Sequence, residues 1–241
     1  MTSPSTIIDV VSDRLGVARA TVAMQDRMLV TSGHRQITGR GRSARSTPAD
    51  AAALILAVAA TPLSGPGVKE TAMNFERYAG LVATDESGQP ASFEIKPLFN
   101  LGAGHTLQVG LAGIIAMLAE GNHRASDLIE VFPKDEPEDE ISIGILVELE
   151  TPTPKARIHF EIEQRKSWAT VDGETRQLEL LSRAVTRLDY LPSPGTLENY
   201  LETLPRLGTG LWRPSDLTQT RRFSHETIQP VADLFRAEKT K

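Results

Sequence analysis

Apolar residues at Ile7, Ile8, Val11 and Leu15 recur at helical spacing until Gly16 breaks the pattern. A second helix is predicted from about Ala18 to Val30, closed by Thr31-Ser32-Gly33. The polar stretch His34 to Ser46 follows, with Gly39 and Gly41 set between arginines. The next helix has clear start signals: Thr47 as N-cap, Pro48 in the first turn and Asp50 three residues after the cap. It runs over roughly 48–60, with Ala51, Leu54, Ile55 and Val58 as its buried stripe. Pro62 to Gly67 is rich in breakers and is the expected domain boundary.

Beyond it, Lys69 to Ala79 reads as helix and Ser92 to Phe99 as a short strand. Thr106 to Ala119 reads as a largely buried helix closed by Gly121, and the acidic run Lys134 to Glu140 as a solvated loop. The period then changes to two. Ile141, Ile143, Ile145, Val147 and Leu149 alternate with smaller or polar neighbours, as do Ala156, Ile158, Phe160 and Ile162 with charged ones. Both segments are strands with one wet face. Asp172-Gly173 between Trp168–Val171 and Thr175–Leu181 signals a hairpin. A further strand is expected over Ala184 to Tyr190 and a helix over Thr196 to Leu204, and the last thirty residues are weakly patterned. The expected fold class is α+β. A helical domain, residues 1–64, precedes an α+β domain, residues 65–241, built on an antiparallel β-meander.

Composition narrows the function classes. The chain has 241 residues, 40% of them hydrophobic, and no cysteine. Disulfide scaffolds, thiolate zinc sites and cysteine nucleophiles are thereby excluded. No apolar run approaches the length of a membrane span and Met1 to Asp13 lacks signal-peptide character, so a cytoplasmic protein without membrane contact is expected. The net charge of −5 conceals an asymmetry. Residues 1–50 carry seven arginines against four aspartates, a net of +3, while the remainder carries 19 basic against 27 acidic groups, a net of −8. A basic head on an acidic body is a footprint for nucleic-acid contact.

The segment Val11-Ser12-Asp13-Arg14-Leu15-Gly16-Val17-Ala18-Arg19-Ala20-Thr21-Val22 has the layout of two helices crossing at a glycine-containing turn. At about 100° per residue, Val22, Ala18 and Leu29 form one arc of the second helix. Arg19, Ala20, Ala23, Met24 and Arg27 occupy the opposite one, and Asp26 lies near the buried arc, where a neighbouring arginine would pair with it. Arginines interleaved with alanines suit an approach to base edges or phosphates. The following Arg35-Gln36-Ile37-Thr38-Gly39-Arg40-Gly41-Arg42-Ser43-Ala44-Arg45 has four arginines and no acid. These first sixty residues resemble winged helix-turn-helix DNA-binding domains of phage and prophage type. The resemblance implies a recognition helix at 19–30, a basic wing at 35–45, and a three-helix core closed by the helix at 48–60. Its DNA-contact residues would be Arg19, Ala20, Ala23, Arg27, Arg35, Arg40, Arg42 and Arg45.

Enzymatic signals are weak. The histidines, 34, 105, 123, 159 and 225, are too far apart for a local metal motif. Gly102-Ala103-Gly104 lacks the lysine of a phosphate loop. The sequence thus leads to a non-enzymatic, sequence-specific binder of double-stranded DNA, with no cofactor or metal. Its expected use is transcriptional regulation, with a small-terminase-like packaging subunit or a structural adaptor as alternatives. The acidic body is expected to support homo-oligomerisation or a protein partner.

Overall fold

The computed structural model describes residues 2–36, 45–62, 67–121, 128, 139–169, 176–193 and 219–239. Six helices are followed through it: α1 (Pro4–Leu15), α2 (Arg19–Thr31), α3 (Pro48–Ala60), α4 (Thr71–Ala79), α5 (Leu107–Glu120) and α6 (His225–Lys239). They pack with a five-stranded antiparallel sheet of β1 (Val82–Thr84), β2 (Asp139–Thr151), β3 (Lys155–Ala169), β4 (Arg176–Leu191) and β5 (Gln219–Ser224). The strand order is β1-β4-β3-β2-β5. The fold is α+β.

Local signals set the first helices. Ser3 caps α1 by accepting from the Thr6 amide, and Gly16 ends it in the left-handed conformation at φ 64°. The capping box expected at α3 is present: the Thr47 hydroxyl accepts from the Asp50 amide at 3.2 Å, and Asp50 Oδ2 accepts from the Thr47 amide at 2.7 Å. α3 differs from its predicted single stripe, because Ala51 to Val58 are all buried. The helix is apolar on every side and lies enclosed, touching α1, α2, α4, α5, α6 and β5.

One hydrophobic core joins Ile7, Val11, Val22 and Leu29 to α3, α5, the inner sheet face and Phe235. Thr2 Oγ1 donates to the Leu234 carbonyl at 2.9 Å and Arg221 to that of Ala59 at 3.1 Å. Residues 63–66, where the sequence places a boundary, lie outside the described residues. The core is shared across them, so packing does not separate 1–64 from 65–241.

The predicted strand alternation holds in β3, where Ala156, Ile158, Phe160 and Ile162 are buried while Arg157, His159 and Glu161 are not. In β2 Ile145, Val147 and Leu149 are buried, but so is Glu148, and Ile141 and Ile143 are only half-buried. β3 and β4 run longer than expected, each as one strand, with a register shift at Gln164/Arg165. Their connection, holding Asp172-Gly173, lies outside the described residues, as do the expected helix 196–204 and most of the acidic run. Asp139 and Glu140 open β2 instead of closing a loop. Residues 92–99 form no strand. Phe93 and Ile95 are buried in alternation, but the chain turns into a 3₁₀ helix at Lys96–Leu101, where Pro97 stands in the first turn.

The weakly patterned C-terminal segment forms β5 and α6. Ile228, Val231, Ala232 and Phe235 make the buried face of α6 at i, i+3, i+4 and i+7, a stripe obscured by Pro230 inside the helix.

Candidate nucleic-acid interface

In α2, Val22 and Leu29 point into the core as expected. Gln25 fills the position between them, while Ala18 is an exposed N-cap. Ala20, Met24 and Arg27 are exposed and lie on the outer side of α2, whereas Ala23, expected with them, is half-buried and packs against the core. Arg19 is also exposed but engaged: Nε donates to Asp9 Oδ1 at 2.5 Å and Nη2 to Ser5 Oγ at 2.9 Å, both on α1. The contact ties the start of α2 to α1. With both partners more than half exposed, such a pair contributes only about 0–1 kcal/mol.

Arg35 corrects the sequence reading. It is buried, with 6% of its side chain exposed, and cannot reach a phosphate. Gly33 at φ 77° turns the chain after α2, and the His34 and Arg35 amides both donate to the Leu29 carbonyl. This turn directs the guanidinium inward between Asp26 of α2, to which Nη1 donates, and Asp50 of α3, 3.5 Å from Nε. Nη2 donates to Ser46 Oγ at 3.0 Å. Burial lowers the Arg35 pKa and Asp50 opposes the shift; an arginine remains a cation at neutral pH. Asp26, anomalous on the helical wheel, is thereby explained.

The geometric result is a clasp. Arg35 and Ser46 meet at the two ends of the segment 36–45, and the Ser46 amide is held by the Thr2 carbonyl at 3.0 Å. Arg45 is exposed at its second end. Arg40 and Arg42 lie outside the described residues, in 37–44. Among the expected contact residues, then, Ala20 and Arg27 share the outer side of α2, and Ala23 packs against the core. Arg45 stands beside the clasp, Arg19 is ion-paired and Arg35 is structural.

No family model, curated protein or solved structure matches this chain.

Two other constellations have the residue types of a site. His105 Nδ1 lies 2.9 Å from the Gly102 carbonyl, which can only accept, so Nδ1 carries the proton and Nε2 accepts from Tyr190 Oη at 2.9 Å. Burial lowers the His105 pKa, against the hydrogen bond to Gly102, and raises that of Tyr190. Both side chains lie in the core beneath Phe93, where they join α5 to the sheet. Gly110 of α5 permits the approach, since a Cβ there would stand 2.5 Å from Tyr190 Oη.

On the outer sheet face Arg222, Glu148, Arg157 and Asp189 alternate in charge across β5, β2, β3 and β4. Arg222 Nε is 2.7 Å from Glu148, and Arg157 Nε donates to Asp189 at 2.6 Å. Burial works against the Asp189 charge, but Arg157 and Arg187 hold its carboxyl below the ordinary range. A shallow cleft of about 410 Å³ beside this row is lined by Asp85, Glu150, Lys155, Arg157 and Asp189. Of these charges Arg157 and Asp189 pair with each other, and Asp85 accepts from Ser87 and Gln89 within its own turn. Among the described residues no three histidine, aspartate or glutamate side chains group as metal ligands, and no helix is long and apolar enough to cross a membrane.

Proposed function

We propose that this protein binds double-stranded DNA without catalysing a reaction, and that the arginine-glycine segment 36–45 is its principal contact, with transcriptional regulation as its use. The observation that carries the reading is the clasp: a buried Arg35 bonded to Ser46 fixes both ends of a segment containing Arg40, Arg42 and Arg45. Pinning the ends lowers the conformational entropy lost when the segment settles on a phosphate backbone. The charge distribution supports it, the first fifty residues being net positive on an otherwise acidic chain.

Sequence preference is assigned to the outer side of α2, where Ala20 allows close approach and Arg27 supplies a guanidinium. Arg19 contributes by exchanging Asp9 for a phosphate or a base edge, which its weak exposed pair permits. The test is fluorescence anisotropy of the full chain on labelled duplexes, beside a variant whose residues 37–44 are replaced by glycine and serine. Binding abolished in the variant, together with a motif recovered by selection from random duplexes, supports the proposal. Absence of duplex binding at low salt overturns it.

A further inference from the structure

Among the described residues, one edge of β4 is unpaired over most of its length. β3 pairs with it from Arg176 to Tyr190, while β1 reaches only Asp189, Tyr190 and Leu191 on the other side. Along residues 176–188 the second edge has no strand partner among the described residues. Exposed edges invite pairing with another chain, and proteins usually guard them with lysine, proline or unpaired charge. Leu180 to Leu188 contains neither lysine nor proline. Its exposed arginines are already satisfied: Arg183 by Glu161 and Glu163, and Arg187 by Asp189 at 3.0 Å. On the same stretch Val185 is 61% exposed, Leu180 51% and Leu181 42%. An unguarded strand edge that displays aliphatic side chains has the character of an interface.

We propose that this edge of β4 pairs with the same edge of a second copy of the chain, antiparallel about a two-fold axis at Ala184, so that two five-stranded sheets become one. An antiparallel edge strand is its own complement under a two-fold. Like charges rule out the two neighbouring registers. An axis at Arg183 sets that arginine against its copy, and an axis at Val185 sets Arg183 against Arg187. With the axis at Ala184, Ser182 meets Thr186 on the inner face and Arg183 meets Val185 on the outer one, so like charges are not opposed. Pairing then extends from Leu180 to Leu188 and stops where β1 takes over the edge. The inference concerns association alone and does not depend on DNA binding.

The experiment is sedimentation velocity on the full chain across the micromolar range, without nucleic acid. The chain is expected to be a dimer. Val185→Lys places two ammonium groups beside the two copies of Arg183 and should weaken dimerisation by about tenfold or more, whereas Val185→Thr should leave it near the parent value. The sequence has no cysteine, so a nitroxide on Val185→Cys is a single label. In the proposed dimer, labelled backbones lie about 7–8 Å apart on the diagonal, and the spectrum should show dipolar broadening that dilution with unlabelled protein removes. If Val185→Lys fails to fold, the broadening decides. A monomer throughout the range, a larger ring, or a dimer without broadening would overturn the proposal.

Discussion

Replacing Arg35 by alanine separates a structural role from a surface one. The guanidinium is 6% exposed and lies between carboxylates of Asp26 and Asp50 that are themselves only 13% and 14% exposed. Its removal leaves two nearly buried carboxylates without their common cation and takes from Ser46 its donor. Breaking a buried pair by deleting one partner costs about 3–5 kcal/mol, a large part of the roughly 5–15 kcal/mol that holds a domain together. At about 2–4 °C per kcal/mol for a chain of this size, melting should fall by roughly 6–20 °C. Circular dichroism melts and urea titrations measure the loss. Arg35→Met combined with Asp26→Asn should recover part of it, because neutral groups then replace the buried pair. A change within about 0.5 kcal/mol, typical of a surface substitution, would refute the clasp and return Arg35 to the solvent.

Gly110→Ala puts a methyl 2.5 Å from Tyr190 Oη and 3.1 Å from His105 Nε2; overpacking of this kind should lower stability by about 1–3 kcal/mol in a denaturant titration. Because burial lowers the His105 pKa, the unfolded chain binds the proton more readily than the folded one. The stabilising contribution is therefore complete above about pH 6.5 and is lost as pH falls toward the folded-state value. Melts at descending pH should show this slope, and His105→Gln should reduce it. Val22→Asp buries an unpaired carboxylate in a core shared by α1, α3, α5 and the sheet. Calorimetry should show one weakened cooperative transition, whereas an unshifted transition from residues 65–241 would indicate separate domains.

What the sequence discloses, and what it hides, follows from the range of each interaction. Thr47, Pro48 and Asp50 act within one helical turn, so the start of α3 is legible from them alone. The alternation from Ile145 to Ile162 likewise reports a one-sided sheet directly. Arg35 reads as a DNA contact in the sequence because its partners, Asp26 and Asp50, lie nine and fifteen residues away; only Asp26's odd place on the helical wheel hints at them. Phe93 and Ile95 give a true burial pattern, but a strand also needs a partner, and Pro97 turns the chain into a 3₁₀ helix. In α6 the stripe from Ile228 to Phe235 is present, and Pro230 reads as a break. The continuity of the core past residue 62 depends on α3 meeting α5 and α6, which local pattern does not encode.

The central claim is that clasped arginines carry DNA affinity, and a salt titration of the full chain on one duplex tests it most directly. The affinity of Arg40→Ala/Arg42→Ala should fall at every salt concentration, and its slope of log affinity against log salt should flatten by about two units, one for each phosphate that no longer meets a guanidinium. An unchanged slope and affinity in that variant would contradict the account.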